Sequence, residues 1–425
     1  MFIGAAHAQE FSYTNNNGSI TITGYKGAGG AVSIPSTING LPVTAIGDWA
    51  FYSTSVTTVG IPSSVTSIGD YAFDSCFGLT SVTIPDSVTN LGVYAFPWCY
   101  SLTNVTIGNS VSAIGYWAFY ECSSLTQVTI PDSVTGIGQL AFAANVLLTN
   151  IILGKSVTNI DSTAFVYCSS LTSLLVDAQN PVYSSVDGVL FDKSQRTLIR
   201  WPLGRAGSYA IPNGVTNIAP GAFSTSWTPT NITIPESMTR IAPDAFSGFQ
   251  GLTRISIPAS VTSIGTNAFQ GCLNLTNVTI ASGVTNIEDD AFAYCTNFLF
   301  AVYFEGNAPV AGNNVFDSDN SPTVYYLPGP TGWGSTFGGV PTAPWTLPYP
   351  LILSKGSGFG VTTNGAFGFT VSWATNVPVV IEASTGLSGA AWQAVQTNNL
   401  NSGSLFFTDS LWTNYPSRFY RVRSL

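Results

Sequence analysis

The chain has 425 residues, of which only 8% are charged, and its 12 Lys+Arg against 21 Asp+Glu leave a net charge of −9. The basic stripe that would neutralise phosphates is missing, so the composition argues against a nucleic-acid partner. Hydrophobic residues make up 45% of the chain, yet no run reaches the ~18 apolar residues of a membrane-spanning helix.

The single histidine, His7, lies in MFIGAAHAQE. A short apolar run followed by the small-x-small pattern Ala6-His7-Ala8 marks residues 1–8 as the remnant of a secretory signal whose start lies upstream. Cleavage after Ala8 would leave no imidazole, which excludes Ser-His-Asp and Cys-His catalysis and imidazole-ligated metal sites. Residues 9–33 alternate apolar and polar around the turn signal Asn17-Gly18, as a β-hairpin covering the end of a repeat array does.

From residue 34 onward the chain is organised by a 23-residue period. LTSVTIPDSVTNLGVYAFPWCYS (Leu79–Ser101) is repeated almost position for position by the next 23 residues. A first coil spans 34–55, and coils in strict register begin at Val56, Leu79, Leu102, Leu125 and Leu148. An irregular unit of 35 residues, 171–205, comes next; the register resumes at Ala206, Pro229, Leu252 and Leu275 and degenerates at Phe298. Within a coil, Leu79, Val82 and Ile84 face inward and Thr83 outward, and Pro85 ends the strand by lacking an N–H donor. Val88 and Leu91 bury a second short strand, Gly92 turns the chain, and Ala95-Phe96 fill the core from a short helical or 3₁₀ turn. No coil can bury its apolar face alone, so stability comes from stacking neighbours.

This repeat, with ten Ala-Phe pairs from Ala50-Phe51 to Ala291-Phe292, resembles the BspA-type (Treponema pallidum-type) leucine-rich repeat of bacterial surface proteins, whose consensus is close to LxxVxIPxxVxxIGxxAFxxCxx. NPVYSSVDGVLFDKSQRTLIRWP resembles that family's recurring hairpin insertion, with strands at Val189–Asp192 and Thr197–Arg200. The resemblance implies a leucine-rich-repeat solenoid and a secreted or cell-surface interaction protein, some relatives being adhesins, with no catalytic residues to carry over. The expected architecture is mainly β: a solenoid of about 11 coils over 34–327 with the hairpin insertion at 171–205, an N-terminal hairpin cap, and a Pro/Gly linker at 328–350. Residues 351–425 alternate as five short strands, which reads as a small β-sandwich.

Six cysteines, Cys76, Cys99, Cys122, Cys168, Cys272 and Cys295, each sit three residues after a repeat phenylalanine. Cys168 lacks a neighbour, because the flanking coils carry Asn145 and Ser226, and Cys76–Cys99–Cys122 is a run of three. The pattern reads as a ladder of buried, reduced thiols acting as small apolar residues rather than a disulfide framework or a metal site. No cofactor is implied.

What one coil has and others lack marks candidates for binding. The residue before Ala-Phe is aromatic in four successive coils, Trp49, Tyr71, Tyr94 and Trp117, with Trp98, Tyr100 and Tyr120 close by. Two readings stand: a self-stacking ladder, or a platform for glycan rings or a protein partner. Lys193, Arg196, Arg200 and Arg205 put a third of the 12 basic residues into the insertion, either as a solvated loop or as a partner-specific surface. The expected function is a non-catalytic binding or adhesion protein that recognises a protein or polysaccharide through the solenoid's sheet face. A structural spacer or surface-layer component, and more distantly a glycan-active enzyme, are the alternatives.

Overall fold

The computed structural model describes residues 10–296, 299, 301–319, 322–345, 350–353, 359–373, 378–387, 391–401 and 403–424. The signal-like residues 1–8 lie outside them. Among the described residues the protein is all β apart from one 3₁₀ turn, Trp412–Asn414. It forms a solenoid of about 13 turns with a ~23-residue period, against the 11 expected. The chain falls into two compact units: Met1–Gly207 with Asn217–Pro229, and Ser208–Thr216 with Thr230–Leu425.

Each coil of the first unit contributes two strands. The first ladder runs through Gly30–Ser33, Val56–Gly60, Ser81–Thr83 and Asn104–Thr106, then Gln127–Ile130, Asn150–Leu153 and Ser173–Val176. Pairing is parallel and advances by one repeat per rung, as in Val105↔Val82 and Ile151↔Leu174. Period-2 alternation sends Val82 and Ile84 into the core and leaves Thr83 in solvent. The second ladder uses two-residue strands such as Ser67–Ile68 and Asn90–Leu91. Coils approach so closely at the following turn that a Cβ on Gly92 would stand 2.4 Å from the Gly69 carbonyl carbon, which is why the turn carries glycine.

The third side of each coil, expected as a short helical or 3₁₀ turn around Ala-Phe, is a hydrogen-bonded turn rather than a helix, closed within the coil by bonds three residues long such as Asp74 N–H to the Tyr71 carbonyl at 3.2 Å. Alternate amides of one coil reach the next: Tyr94, Phe96 and Trp98 N–H donate to the carbonyls of Tyr116, Ala118 and Tyr120 at 2.9, 2.8 and 2.8 Å. A helical turn would direct these amides back into its own coil, so coil-to-coil bonding and helix exclude each other here. Inside, the phenylalanines stack in a column, with centroids 4.8 Å apart for Phe51–Phe73 and Phe73–Phe96, and 5.4 Å for Phe96–Phe119.

At the N-terminal end, Phe11–Asn15 and Ile20–Tyr25 form an antiparallel hairpin. Its second strand is already a rung, because it pairs parallel with Leu41–Ile46. The insertion is a three-stranded antiparallel meander, Tyr183–Val186, Val189–Asp192 and Thr197–Arg200, whose last strand pairs parallel with Asn217–Ile218.

In the second unit one ladder runs from Ser208–Ala210 through Asn231–Thr233, Arg254–Ile257, Asn277–Ile280, Ala301–Phe304 and Thr323–Tyr326 to Val340–Pro344. The last strand falls in the stretch expected to be a linker; it pairs parallel with Thr323–Tyr326 and folds back on Thr336–Phe337. The Pro and Gly residues there serve the hairpin that ends this ladder and its tight turn rather than an open connection. In the degenerate coil Phe316 replaces the lost Ala-Phe phenylalanine and stacks on Phe292 at 5.8 Å. The C-terminal module is a β-sandwich. One antiparallel sheet holds Leu351–Leu353, Gly360–Val361, Phe367–Ser372 and Ser404–Asp409, and the other holds Pro378–Ser384, Gln393–Asn399 and Phe419–Ser424. Phe369, Val371, Val379, Ile381, Leu400 and Phe407 form its core.

Candidate functional site

The aromatic residues lie on the turn side of the first unit, and none of Trp49, Tyr71, Tyr94 and Trp117 belongs to a strand. The sheet face and the aromatic column, joined in the sequence reading, are therefore different surfaces. The column is continuous: Trp49 stacks on Tyr71 at 4.0 Å and 4°, Tyr71 on Tyr94 at 4.6 Å and 15°, and Tyr94 meets Trp117 at 5.2 Å and 33°. Trp117 in turn stacks on Tyr120 at 4.0 Å, and Trp98 packs edge-on against Trp117 at 6.1 Å. Trp98 Nε1 donates to Glu121 Oε2 at 3.1 Å. Trp49, 48% exposed, ends the column.

The backbone under these rings is left-handed. Trp49, Tyr71, Tyr94 and Trp117 have φ of 60°, 56°, 54° and 55°. Such a conformation costs a side-chain-bearing residue roughly 1–2 kcal/mol and suits Gly, Asn or Asp. Later coils put Gly221, Asp244, Asn267 and Asp290 at this position, all with positive φ. That switch to tolerant residue types is the sequence signal for the geometry, and the aromatic pattern alone does not convey it. A second left-handed residue recurs two places after the phenylalanine, as Ser75, Trp98 and Glu121.

Tyr100, a candidate from the sequence, belongs to a second column with Phe77, which the sequence reading missed. Phe77 and Tyr100, each next to a repeat cysteine, stack at 5.3 Å and 7° and are both exposed. The place of Phe77, identical to that of Tyr100 in the next coil, is the signal that could have revealed it.

The basic residues of the insertion do not form one patch. Lys193 and Arg196 are exposed at the hairpin turn, where Lys193 Nζ donates to the Ala178 carbonyl at 2.9 Å. Asp192 Oδ1 caps that turn, accepting the Arg196 and Thr197 amides at 2.8 Å each. Arg200, expected with them at the surface, is buried. Strand alternation sends it inward, and its Nη1 donates to the Gly221 carbonyl at 2.9 Å.

All six cysteines are buried and free. Each thiol donates to the carbonyl of the preceding coil's phenylalanine, as Cys122 to Phe96 at 3.1 Å and Cys168 to Phe142 at 3.1 Å. Burial pushes the Cys76 thiol up to about 11 and Cys168 up to about 12, so they carry no thiolate near neutrality. Asn145 replaces the thiol in one coil, its Nδ2 donating to the Phe119 and Phe142 carbonyls at 2.9 and 2.6 Å. Outward threonines of the second ladder are also engaged: Thr135 and Thr158 Oγ1 donate to the preceding coil's carbonyls at 3.1 and 3.3 Å. Among the described residues no cluster of three His, Cys, Asp or Glu is placed to hold a metal.

Two parallel strand ladders per 23-residue coil and a phenylalanine column define a leucine-rich-repeat β-solenoid. The BspA-type leucine-rich repeat region, in six copies, matches residues 44–172 and 206–323, and the chain belongs to that family. Among solved structures it is similar to a leucine-rich cell surface protein of Faecalibacterium prausnitzii, at 29% identity over 70% of this chain and 94% of that one, with a TM-score of 0.48. A leucine-rich-repeat protein of Eubacterium ventriosum matches at 23% identity over 76% and 95% of the two chains, with a TM-score of 0.51. The pneumococcal vaccine antigen PcpA matches at 22% over 75% and 86%, with a TM-score of 0.50. Comparison with curated proteins finds no match. Among the described residues no helix is long and apolar enough to cross a membrane.

Proposed function

We propose that this chain is a secreted or cell-surface binding protein without a reaction of its own, which holds a protein partner against the aromatic side of its first unit. Membership of a family of bacterial surface repeat proteins supports the general role. The observation that favours a protein over a glycan is the ring geometry. Sugars stack on open aromatic faces, whereas the faces of Tyr71 and Tyr94 are covered by their neighbours at 4.0–5.2 Å. What the column offers outward is ring edges, hydroxyls and indole rims, the groups enriched in protein interface cores.

The test is a matrix-protein and glycan array run on the wild type and on the Trp49→Ala/Trp117→Ala double variant. The expected result is capture of one or more proteins by the wild type, with loss of at least about tenfold in the variant, the loss of one anchor contact. Binding confined to glycans, or protein binding that survives the double substitution, would remove the basis for this reading.

A further inference from the structure

The C-terminal module shows twice how this chain holds an arginine. Arg418 Nε donates to Asp409 Oδ2 at 2.6 Å, and its guanidinium lies 4.1 Å from the centre of the Tyr415 ring. Arg421 Nε donates to Glu382 Oε2 at 2.6 Å, and its guanidinium lies 4.5 Å from the Trp392 ring. In both, a carboxylate accepts the N–H and an aromatic face takes the flat cation.

The first unit has the same receiving groups without the arginine. Glu121 is the one charged residue found two places after the phenylalanine in the ten Ala-Phe coils. It stands there at φ 53°, where two later coils have Gly248 and Gly271, so the backbone gains nothing from glutamate. At the same position the preceding coil has Trp98, and the next two have Ala144, with only a methyl group, and Tyr167. Trp98 Nε1 donates to Glu121 Oε2 at 3.1 Å. Oε1 makes no hydrogen bond within the chain and reaches solvent. Tyr100, 40% exposed, has Phe77 stacked on one face; the next coil carries Ser123 at that place, so no ring of the column covers the other. Tyr167 is 58% exposed, with no ring stacked on it among the described residues. Burial first and the Glu121 charge second push the Tyr100 and Tyr120 phenols up, which places the carboxylate near both. Between Lys26 and Lys155 the sequence has six acidic residues and no Lys, Arg or His. Lys155 pairs with Asp132 at 3.0 Å, and among the described residues no cation pairs with Glu121.

We propose that Glu121, Tyr100 and Tyr167 receive an arginine side chain of the protein partner, an N–H donating to Glu121 Oε1 and the guanidinium plane resting on a tyrosine face. The partner segment that docks on the aromatic side is therefore basic. This rests on the protein-binding reading above and adds to it the partner's charge and the carboxylate that reads it.

Fluorescence anisotropy of labelled hexa-arginine and hexaglutamine, titrated with the full chain at low salt, tests this. The wild type should bind hexa-arginine and not hexaglutamine. Glu121→Gln keeps an oxygen for Trp98 Nε1 and should weaken hexa-arginine about three- to fivefold, the value of one exposed ion pair. Tyr167→Ala should weaken it about two- to threefold, the value of an exposed cation–ring contact. Ala144 holds the same repeat position at φ 60°, so that variant should keep the fold; if circular dichroism shows Glu121→Gln misfolded, Tyr167→Ala decides. Asp86→Asn removes one charge from the turn after a first-ladder strand and should leave the affinity unchanged. No hexa-arginine binding at millimolar concentration, equal binding by wild type and Glu121→Gln, or the same drop in Asp86→Asn overturns the proposal. On the protein array, capture that Glu121→Gln leaves intact overturns this site while the column reading stands, and capture lost in Glu121→Gln upholds it.

Discussion

Replacing Tyr71 with asparagine separates what the ring column adds to the fold from what its backbone costs. Tyr71 has φ 56° and is stacked between Trp49 and Tyr94 at 4.0 and 4.6 Å. Asparagine tolerates the left-handed region, so the substitution relieves part of the roughly 1–2 kcal/mol that this conformation costs. It also deletes two aromatic contacts, about 0.5–1.5 kcal/mol each beyond area burial. Leu140 supplies the control: it holds the same repeat position with φ 55° and has no ring to stack. Leu140→Asn should therefore come out near neutral or slightly stabilising. Tyr71→Asn should fall below it by about 1–3 kcal/mol, the sum of the two contacts. Urea unfolding followed by far-ultraviolet circular dichroism and by tryptophan fluorescence measures both. If Tyr71→Asn proves as stable as Leu140→Asn, stacking is not what holds the strained backbone, and the argument that the ring faces are occupied fails with it.

Three further outcomes concern the core and its polar exceptions. Phe119→Ala removes a ring fully buried between Phe96 and Phe142, at 5.4 and 5.3 Å; a loss of about 3–5 kcal/mol is expected, and an unchanged urea midpoint would contradict it. Asn145→Ala strands the Phe119 carbonyl, while that of Phe142 keeps the Cys168 thiol; this should cost about 1–3 kcal/mol, while Asn145→Cys restores the thiol of the neighbouring coils and should cost less; equal losses in thermal melts would count against the ladder. Asp319 has both carboxylate oxygens shut off from water, and burial pushes it up to about 7. The folded chain thus holds a proton that the unfolded chain releases near pH ~3.9. This group's contribution is most favourable below that value and is lost as pH rises from about 4 through 7. Asp319→Asn should flatten that fall, and a wild-type pH slope in the variant would refute the assignment.

The repeat makes most of the fold readable from the chain. Period-2 alternation at Val82 and Ile84, the strand-ending Pro85, and the ten Ala-Phe pairs are local consequences of which side chains must be buried, so they are written in every coil. The insertion strands Val189–Asp192 and Thr197–Arg200 are legible for the same reason. The extra rung at Val340–Pro344 is not, because proline and glycine mark a tight hairpin and an open connection alike.

The sites are less legible, since they depend on what stands beside each residue in the neighbouring coil. The chain alone determined that aromatic residues recur before Ala-Phe in four coils and that basic residues gather in the insertion. Only stacking decided that the rings cover one another's faces, because offsets of 22 and 23 residues become contacts of 4.0 and 4.6 Å in three dimensions. Only the pairing of Thr197–Arg200 with Asn217–Ile218 decided that Arg200 turns inward, to the Gly221 carbonyl, while Lys193 and Arg196 remain outside. Local pattern records whether a side chain is buried; what it meets there is set by residues far away in sequence.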